Sequence, residues 1–260
     1  MKWRSALFGG LFASTVLMPS ASWSAEIKLL SANVFTGVLD GLISDFERSS
    51  GHKVVVIYGT AGSIRNRVQS GEIGDVTIVT RPMLDELEKN GKVAPGTGAE
   101  MARSAVALVV RSGAVKLDLS SIDAFKRALL AANSISYPDP ARGGATGVLF
   151  TGIIERLGLA TQVGPKTKFP PPGHFAVELV AKGEAEVAIA QPMEALLQQG
   201  VEIAGLLPSE LQDPPSFTFA VGQMAMAKEP QAARSLIQFL VGPAVQSTLK
   251  SRGMEPGIGK

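Results

Sequence analysis

Apolar positions along this chain repeat at two spacings, and the two alternate. Residues 27–31 (IKLLS) form a short apolar run that predicts a strand. From about residue 35 to 49, Val38, Leu39, Leu42, Ile43 and Phe46 share one face of a helix that Gly51 ends. The alternation continues with a strand at 53–58 (KVVVIY), a short helix at 62–69, a strand at 76–79 and a helix at 82–89 opened by Pro82. Strand and helix in turn, with short loops, predict an α/β fold with parallel strands and helices on the sheet's faces.

Two longer apolar runs, 105–111 (AVALVVR) and 217–227 (FTFAVGQMAMA), read as strands that cross between two lobes. Between them lies a second α/β series: helices near 122–130, 144–157, 175–182 and 192–199, and strands at 134–137, 187–190 and 201–206. The loop 166–173 (KTKFPPPG) carries three consecutive prolines and predicts a stiff extended connector. Helices at 230–240 and 244–251 bring the chain back. The expected division is a first lobe of residues 26–108 with 220–260 and a second lobe of 109–219.

Residues 1–25 stand apart from this pattern. Lys2 and Arg4 precede an apolar stretch, 6–18 (ALFGGLFASTVLM), and the small-residue string SASWSA. That is the pattern of a secretory leader, with cleavage expected near Ser24 or Ala25. An uncleaved anchor fits less well, because the run is shorter than the roughly 20 residues of a membrane span.

The leader changes how the composition reads. The whole chain has 25 basic and 23 acidic residues, for a net charge of +2. Without Lys2 and Arg4 the basic count becomes 23 against 23, so the exported chain is neutral. Neutrality argues against nucleic acid, which is bound through a concentrated basic footprint. Trp3 and Trp23 leave with the leader, and Tyr58 and Tyr137 are the only tyrosines, so sugar binding by ring stacking is disfavoured. The absence of cysteine excludes disulfides, thiol nucleophiles and thiolate metal sites.

Catalytic patterns are scarce. His52 and His174 are the only histidines, and His52 follows a helix-ending glycine as a solvated loop residue would. Ser247 and Lys250 match S-x-x-K, a pattern of two fixed letters, on the charged face of a helix. The acidic pairs Asp40 with Asp45 and Glu184 with Glu186 sit at solvated positions. The reading is therefore of a protein that is not an enzyme and carries no metal or cofactor.

The polar turns after strands are more informative. The first holds Ser31 and Asn33, the second Thr60, Ala61, Gly62 and Ser63, and the third Ala145 and Thr146 within GGATG. In a parallel α/β sheet such turns lie at the carboxyl ends of strands, where ligands bind. Each offers a helix start with unpaired N–H groups and partial positive charge, which suits an anion. Simple helix capping explains any one of them equally well. Three together, two in one lobe and one in the other, point to a site between the lobes. Hydrogen bonds to a charged group contribute roughly 1.5 to 3 kcal/mol each, so five or six donors hold an anion without a charged side chain.

The segments SANVFTGVLDGLISDFERSSGHKVVVIYGTAGSIRNRVQSGEIGDVTIVTRP and FLVGPAVQSTLKSRGMEPG, with the leader, resemble the periplasmic molybdate-binding proteins of ABC importers. The resemblance spans most of the exported chain and is better at its ends than in its middle. It implies a type 2 periplasmic-binding fold, with two α/β lobes on a hinge closing over one ligand, and oxyanion donors at Asn33, at Ala61 to Ser63 and at Ala145. Asn33 stands where the family commonly has serine, and Gln191 where many members have tyrosine. Arg81, after the third strand, and Arg142, before GGATG, suit a carboxylate and serve equally as solvated loop residues. Phe175 and His174 are further pocket candidates. The expected function is capture of a small anion, molybdate or tungstate first and an organic acid second, for a membrane permease. A periplasmic ligand sensor is the alternative, and a monomer is expected in either case.

Overall fold

The computed structural model describes residues 24–257, so the leader expected over 1–25 lies outside the described residues but for its last two positions. The chain begins with β1 (Glu26–Ala32), α1 (Leu39–Ser50), β2 (Lys53–Gly59), α2 (Ala61–Gln69), β3 (Val76–Thr80), α3 (Arg81–Lys89) and β4 (Ala99–Arg103). A second series follows: β5 (Ala107–Arg111), α4 (Ile122–Ala131), β6 (Ile135–Ser136), α5 (Ala145–Arg156), α6 (Ala160–Val163), β7 (Thr167–Lys168), α7 (Ala176–Lys182), β8 (Val187–Ala190), α8 (Pro192–Leu197) and β9 (Val201–Leu206). The chain then returns through β10 (Thr218–Gln223), α9 (Pro230–Leu240), α10 (Pro243–Ser251) and β11 (Glu255–Pro256).

Two mixed sheets result, in the orders β11-β4-β10-β3-β1-β2 and β7-β6-β8-β5-β9. The expected parallel pairing holds for β1 with β2 and β3, and for β6 with β7 and β8. The strands flanking the crossings run antiparallel: β10 pairs so with β3 and β4, and β5 with β8 and β9. The two long apolar runs begin in the crossings and continue as strands, β5 in the second sheet and β10 in the first. The chain changes sheets at 104–106 and again over 207–217. The two links are tied together, with Ser104 N–H donating to Phe217 O at 2.9 Å and Leu207 N–H to Val106 O at 3.0 Å. The Gln212 amide accepts from Val106 N–H at 2.9 Å and donates to the carbonyls of Val106 and Leu207.

Each sheet is covered on both faces. Against the first, α1, α9 and α10 bury Leu39, Phe46, Leu236 and Leu249 on one side, while α2 and α3 bury Ile64, Val68 and Leu84 on the other. Against the second, Phe125 of α4 and Phe150 of α5 fill one core, and Val177 and Val180 of α7 the other. Burial at about 1.5 to 3 kcal/mol per large apolar side chain is the main force holding these layers. Polar ties fix their register. Buried Asp75 accepts the N–H of Lys28 at 2.8 Å and of Glu229 at 3.0 Å, joining β1 to the start of α9. Lys166 Nζ donates to the carbonyls of Leu129, Leu130 and Ala132, the ones α4 leaves open at its end.

The first helix starts later than expected. Residues Asn33–Phe35 form one 3-10 turn, and Gly37, at φ 79°, breaks the path before α1 begins at Leu39. The loop at 166–173 is not wholly a connector, since its Thr167 and Lys168 pair with β6. No described helix is long and apolar enough to cross a membrane.

Candidate functional site

Four turns meet between the two sheets, each at the carboxyl end of a strand: after β1 at Asn33, after β2 at Thr60, after β6 at 138–144 and after β8 at Gln191. They enclose two chambers that share Asn33, Thr60 and Phe175. The outer one is an open cleft of about 890 Å³, walled by Tyr58, Ser63, Arg65, Arg142 and Gly143 among others. The inner one measures about 40 Å³ and reaches Ala61, Ala145, Thr146, Gln191 and Glu194, with Phe219 at its floor.

The lobes touch backbone to backbone above the inner chamber. Gly62 N–H donates to Gly143 O at 3.1 Å. Thr60 Oγ1 accepts from Ser63 N–H at 3.1 Å, capping α2, and donates to the carbonyl of Arg142 across the cleft. Gly143 adopts φ 71°, a left-handed conformation open to glycine at little cost. The contact is a closed arrangement, stitched by atoms that belong to different sheets.

The starts of α2 and α5 point into this space. Their first N–H groups have no intrahelical partner, and Ala61, Ala145 and Thr146 hold those positions beside the inner chamber. Three polar side chains lining the chamber are buried with an unpaired atom: Thr146 Oγ1, Gln191 Oε1 and Glu194 Oε2. Buried polar atoms are rarely left unpaired; six others occur elsewhere among the described residues, and these three are gathered around one cavity. Among the described residues, Glu194 is the one ionisable side chain lining the inner chamber. Burial raises its carboxyl pKa to about 8, opposed by the backbone N–H of Gln191. In the outer chamber, burial and then the charge of Asp40, which accepts the Tyr58 hydroxyl at 3.2 Å, push the Tyr58 pKa up.

The residues singled out in the sequence divide accordingly. Asn33, Thr60, Ala61, Gly62, Ser63, Arg142, Ala145, Thr146 and Gln191 line one chamber or the other. Ser31 and Arg81 do not. Ser31 is buried within β1, its hydroxyl donating to Ala32 O at 3.2 Å. Arg81 turns along its own helix to pair with Asp85 at 2.8 Å. Phe175 lines both chambers, whereas His174 is exposed and meets Glu178 at 2.6 Å. The two guanidinium groups of the outer chamber differ in charge balance. Arg65 contacts both oxygens of Glu86, while Arg142 forms no ion pair among the described residues, its Nη1 reaching only Pro170 O at 3.5 Å.

Glu194 escaped the sequence reading, although a signal existed. The segment Gln191-Pro192-Met193-Glu194 follows a strand as the other three turns do, and its glutamate occupies the third helical position, where a carboxylate ordinarily caps the helix start from the surface.

A family profile described as bacterial extracellular solute-binding protein matches residues 27–255. A relative from Pseudomonas sp, named aconitate isomerase, is 30% identical over 257 residues, covering 96% of this chain and 95% of the relative. A molybdate-binding protein of Azotobacter vinelandii is 25% identical, covering 91% and 92%. The solved structure of the periplasmic molybdate-binding protein of Azotobacter vinelandii superposes with a TM-score of 0.71 at 19% identity, over 88% of this chain and 98% of that one. The two-lobed architecture is thus that of the periplasmic binding proteins. The expectation of a protein without enzymatic activity is corrected by the first relative, whose name is that of an enzyme. That expectation rested on the scarcity of catalytic patterns in the sequence, which did not single out the carboxyl of Glu194.

Proposed function

Because this chain belongs to the bacterial extracellular solute-binding proteins, we propose that it captures a small organic acid with two or more carboxylates between its lobes, and that it isomerises that acid. The observation that carries this reading is the two-chamber site. One anionic end of the ligand enters the inner chamber against the N–H groups of Ala61, Ala145 and Thr146, and a second carboxylate reaches Arg142 at the rim of the outer chamber. The planar guanidinium fork fits a carboxylate in two parallel hydrogen bonds. The name of the Pseudomonas relative, an isomerase of a tricarboxylate, supports the same class. Periplasmic location, delivery to an ABC-importer permease and a monomeric state belong to the proposal.

A second reading, molybdate or tungstate, is favoured by the inner chamber's neutral donors and by the Azotobacter relative. A tetrahedral oxyanion makes no use of Arg142. Thermal shift separates the two readings. Aconitate and other di- or tricarboxylates are expected to raise the melting temperature, with about 2.7 kcal/mol of stabilisation at 100 times Kd, while molybdate, tungstate and sulfate leave it in place. Stabilisation by molybdate alone would sink the organic-acid reading. Arg142→Ala is expected to weaken carboxylate binding about tenfold, the equivalent of one charge-assisted hydrogen bond of roughly 1.4 kcal/mol, as read by calorimetry.

A further inference from the structure

We propose that Glu194 is the proton carrier of this site, moving a proton between two carbons of a bound unsaturated polycarboxylate and so shifting its double bond. The inference rests on the organic-acid reading above and adds to it the residue and the step. Three observations carry it. Glu194 is 6% exposed, its Oε2 has no partner, and it lines the inner chamber together with the helix starts that receive the ligand's carboxylate. Among the described residues no other ionisable side chain lines that chamber, so no second group there competes for the role. The ionisable groups nearest along the site, Tyr58, Arg65 and Arg142, line the outer chamber.

The step balances without a co-reactant. The ionised carboxylate takes a proton from the saturated carbon next to the substrate's double bond. That C–H bond breaks, an O–H bond forms on Glu194, and the electron pair spreads through the double bond onto the substrate carboxylate. The negative charge then sits on oxygens facing the N–H groups of Ala61, Ala145 and Thr146, where donors fixed in place stabilise it. Returning the proton to the far carbon of the three-carbon unit breaks the O–H bond, restores the carboxylate and leaves the double bond shifted by one position. Nothing is oxidised or reduced. A base works best when its pKa lies near the working pH, and burial places Glu194 there. The hydroxyl of Thr146 and the amide of Gln191 flank it with unpaired atoms able to orient the substrate.

The test follows aconitate by NMR, with deuterium placed on its methylene carbon. With both methylene hydrogens replaced, wild-type protein is expected to interconvert the isomers and to move one deuterium to the other carbon or lose it to water, the second staying where it was. Glu194→Gln keeps the shape of the side chain and removes the base; it is expected to lower turnover by about 10² to 10⁴-fold while aconitate still raises its melting temperature. In wild-type protein kcat/KM is expected to rise with pH through about 8, because the ionised form is the active one. Product that retains both deuteriums at its original carbon, or a Glu194→Gln variant as fast as wild type, overturns the role of Glu194 and leaves the organic-acid reading standing. Absence of both interconversion and carboxylate binding in wild-type protein overturns that reading and this inference with it. If Glu194→Gln fails to fold, the wild-type pH profile decides, and a flat one from pH 6 to 9 counts against the inference.

Discussion

Gly147→Ala is expected to cost about 3 kcal/mol or more of stability and to remove ligand binding along with it, as read by chemical denaturation and calorimetry. Two effects oppose each other at this position. Gly147 lies in the first turn of α5, and alanine is the better helix former by about 1 kcal/mol, so propensity alone predicts a gain. Packing reverses the sign. A Cβ here would overlap the carbonyl oxygen of Pro138 and press on its carbon at 2.8 Å and on Pro140 N at 3.2 Å. All three are backbone atoms of the turn that carries Asp139, Arg142 and Gly143, so none moves aside as a side-chain tip does. Displacing that turn carries Arg142 from the rim and Gly143 from its contact with Gly62. The same substitution at Gly152, also in α5 and with nothing within 4 Å, is the control and is expected to be neutral or stabilising.

The closeness of Pro138 to Gly147 is invisible along the chain, and so is the burial of Glu194. Both come from a turn folding back on its own helix or on the neighbouring lobe. Elements whose making is local were legible. The i, i+3, i+4 and i+7 spacing of Leu39, Leu42, Ile43 and Phe46 gives α1 its buried face, and Gly51 ends it at φ 75°. The start of α1 was misplaced because Phe35 belongs to the same apolar stripe; its ring packs edge to face on Phe219 at 5.1 Å from a 3-10 turn instead. β4 was missed because only Met101 and Ala102 of its AEMAR segment are buried, so no alternation marks it.

The turns of the site were legible for a different reason: small and hydroxyl residues after a strand satisfy helix starts wherever they occur. That rule finds Thr60 and Ala145 and equally Ser31, because it says nothing about which way a side chain leaves the strand. Ser31 at the end of β1 is buried within the lobe, while Asn33, two residues on and past the strand's end, reaches both chambers. Arg81 shows the same limit. Its position after β3 matches that of Asn33 after β1, but an aspartate four residues on holds it along α3.

Widening Gly62 tests closure separately from folding. Gly62→Val is expected to weaken ligand binding about 100-fold by calorimetry while the melting temperature of the unliganded protein changes little. A Cβ at Gly62 would stand 2.8 Å from Gly143 O and 3.0 Å from Gly143 Cα, atoms of the opposite lobe. Overpacking of this kind costs about 1 to 3 kcal/mol, and under the proposed closure of the lobes on a ligand the cost falls on the closed arrangement. It therefore subtracts directly from binding, and about 2.7 kcal/mol corresponds to a factor near 100. Gly62→Ala, with one carbon instead of three, is expected to lose roughly tenfold or less, and its better helix propensity partly compensates in stability. Gly41→Val, on the exposed side of α1 with nothing within 4 Å, is expected to leave affinity unchanged. Equal loss of affinity at Gly41 and Gly62 would mean that the effect comes from valine in a helix and not from the lobes meeting. A loss confined to Gly62, growing from alanine to valine, identifies the Gly62 and Gly143 contact as the place where closure is completed, two residues from the Thr60 cap that the second lobe's carbonyl also holds.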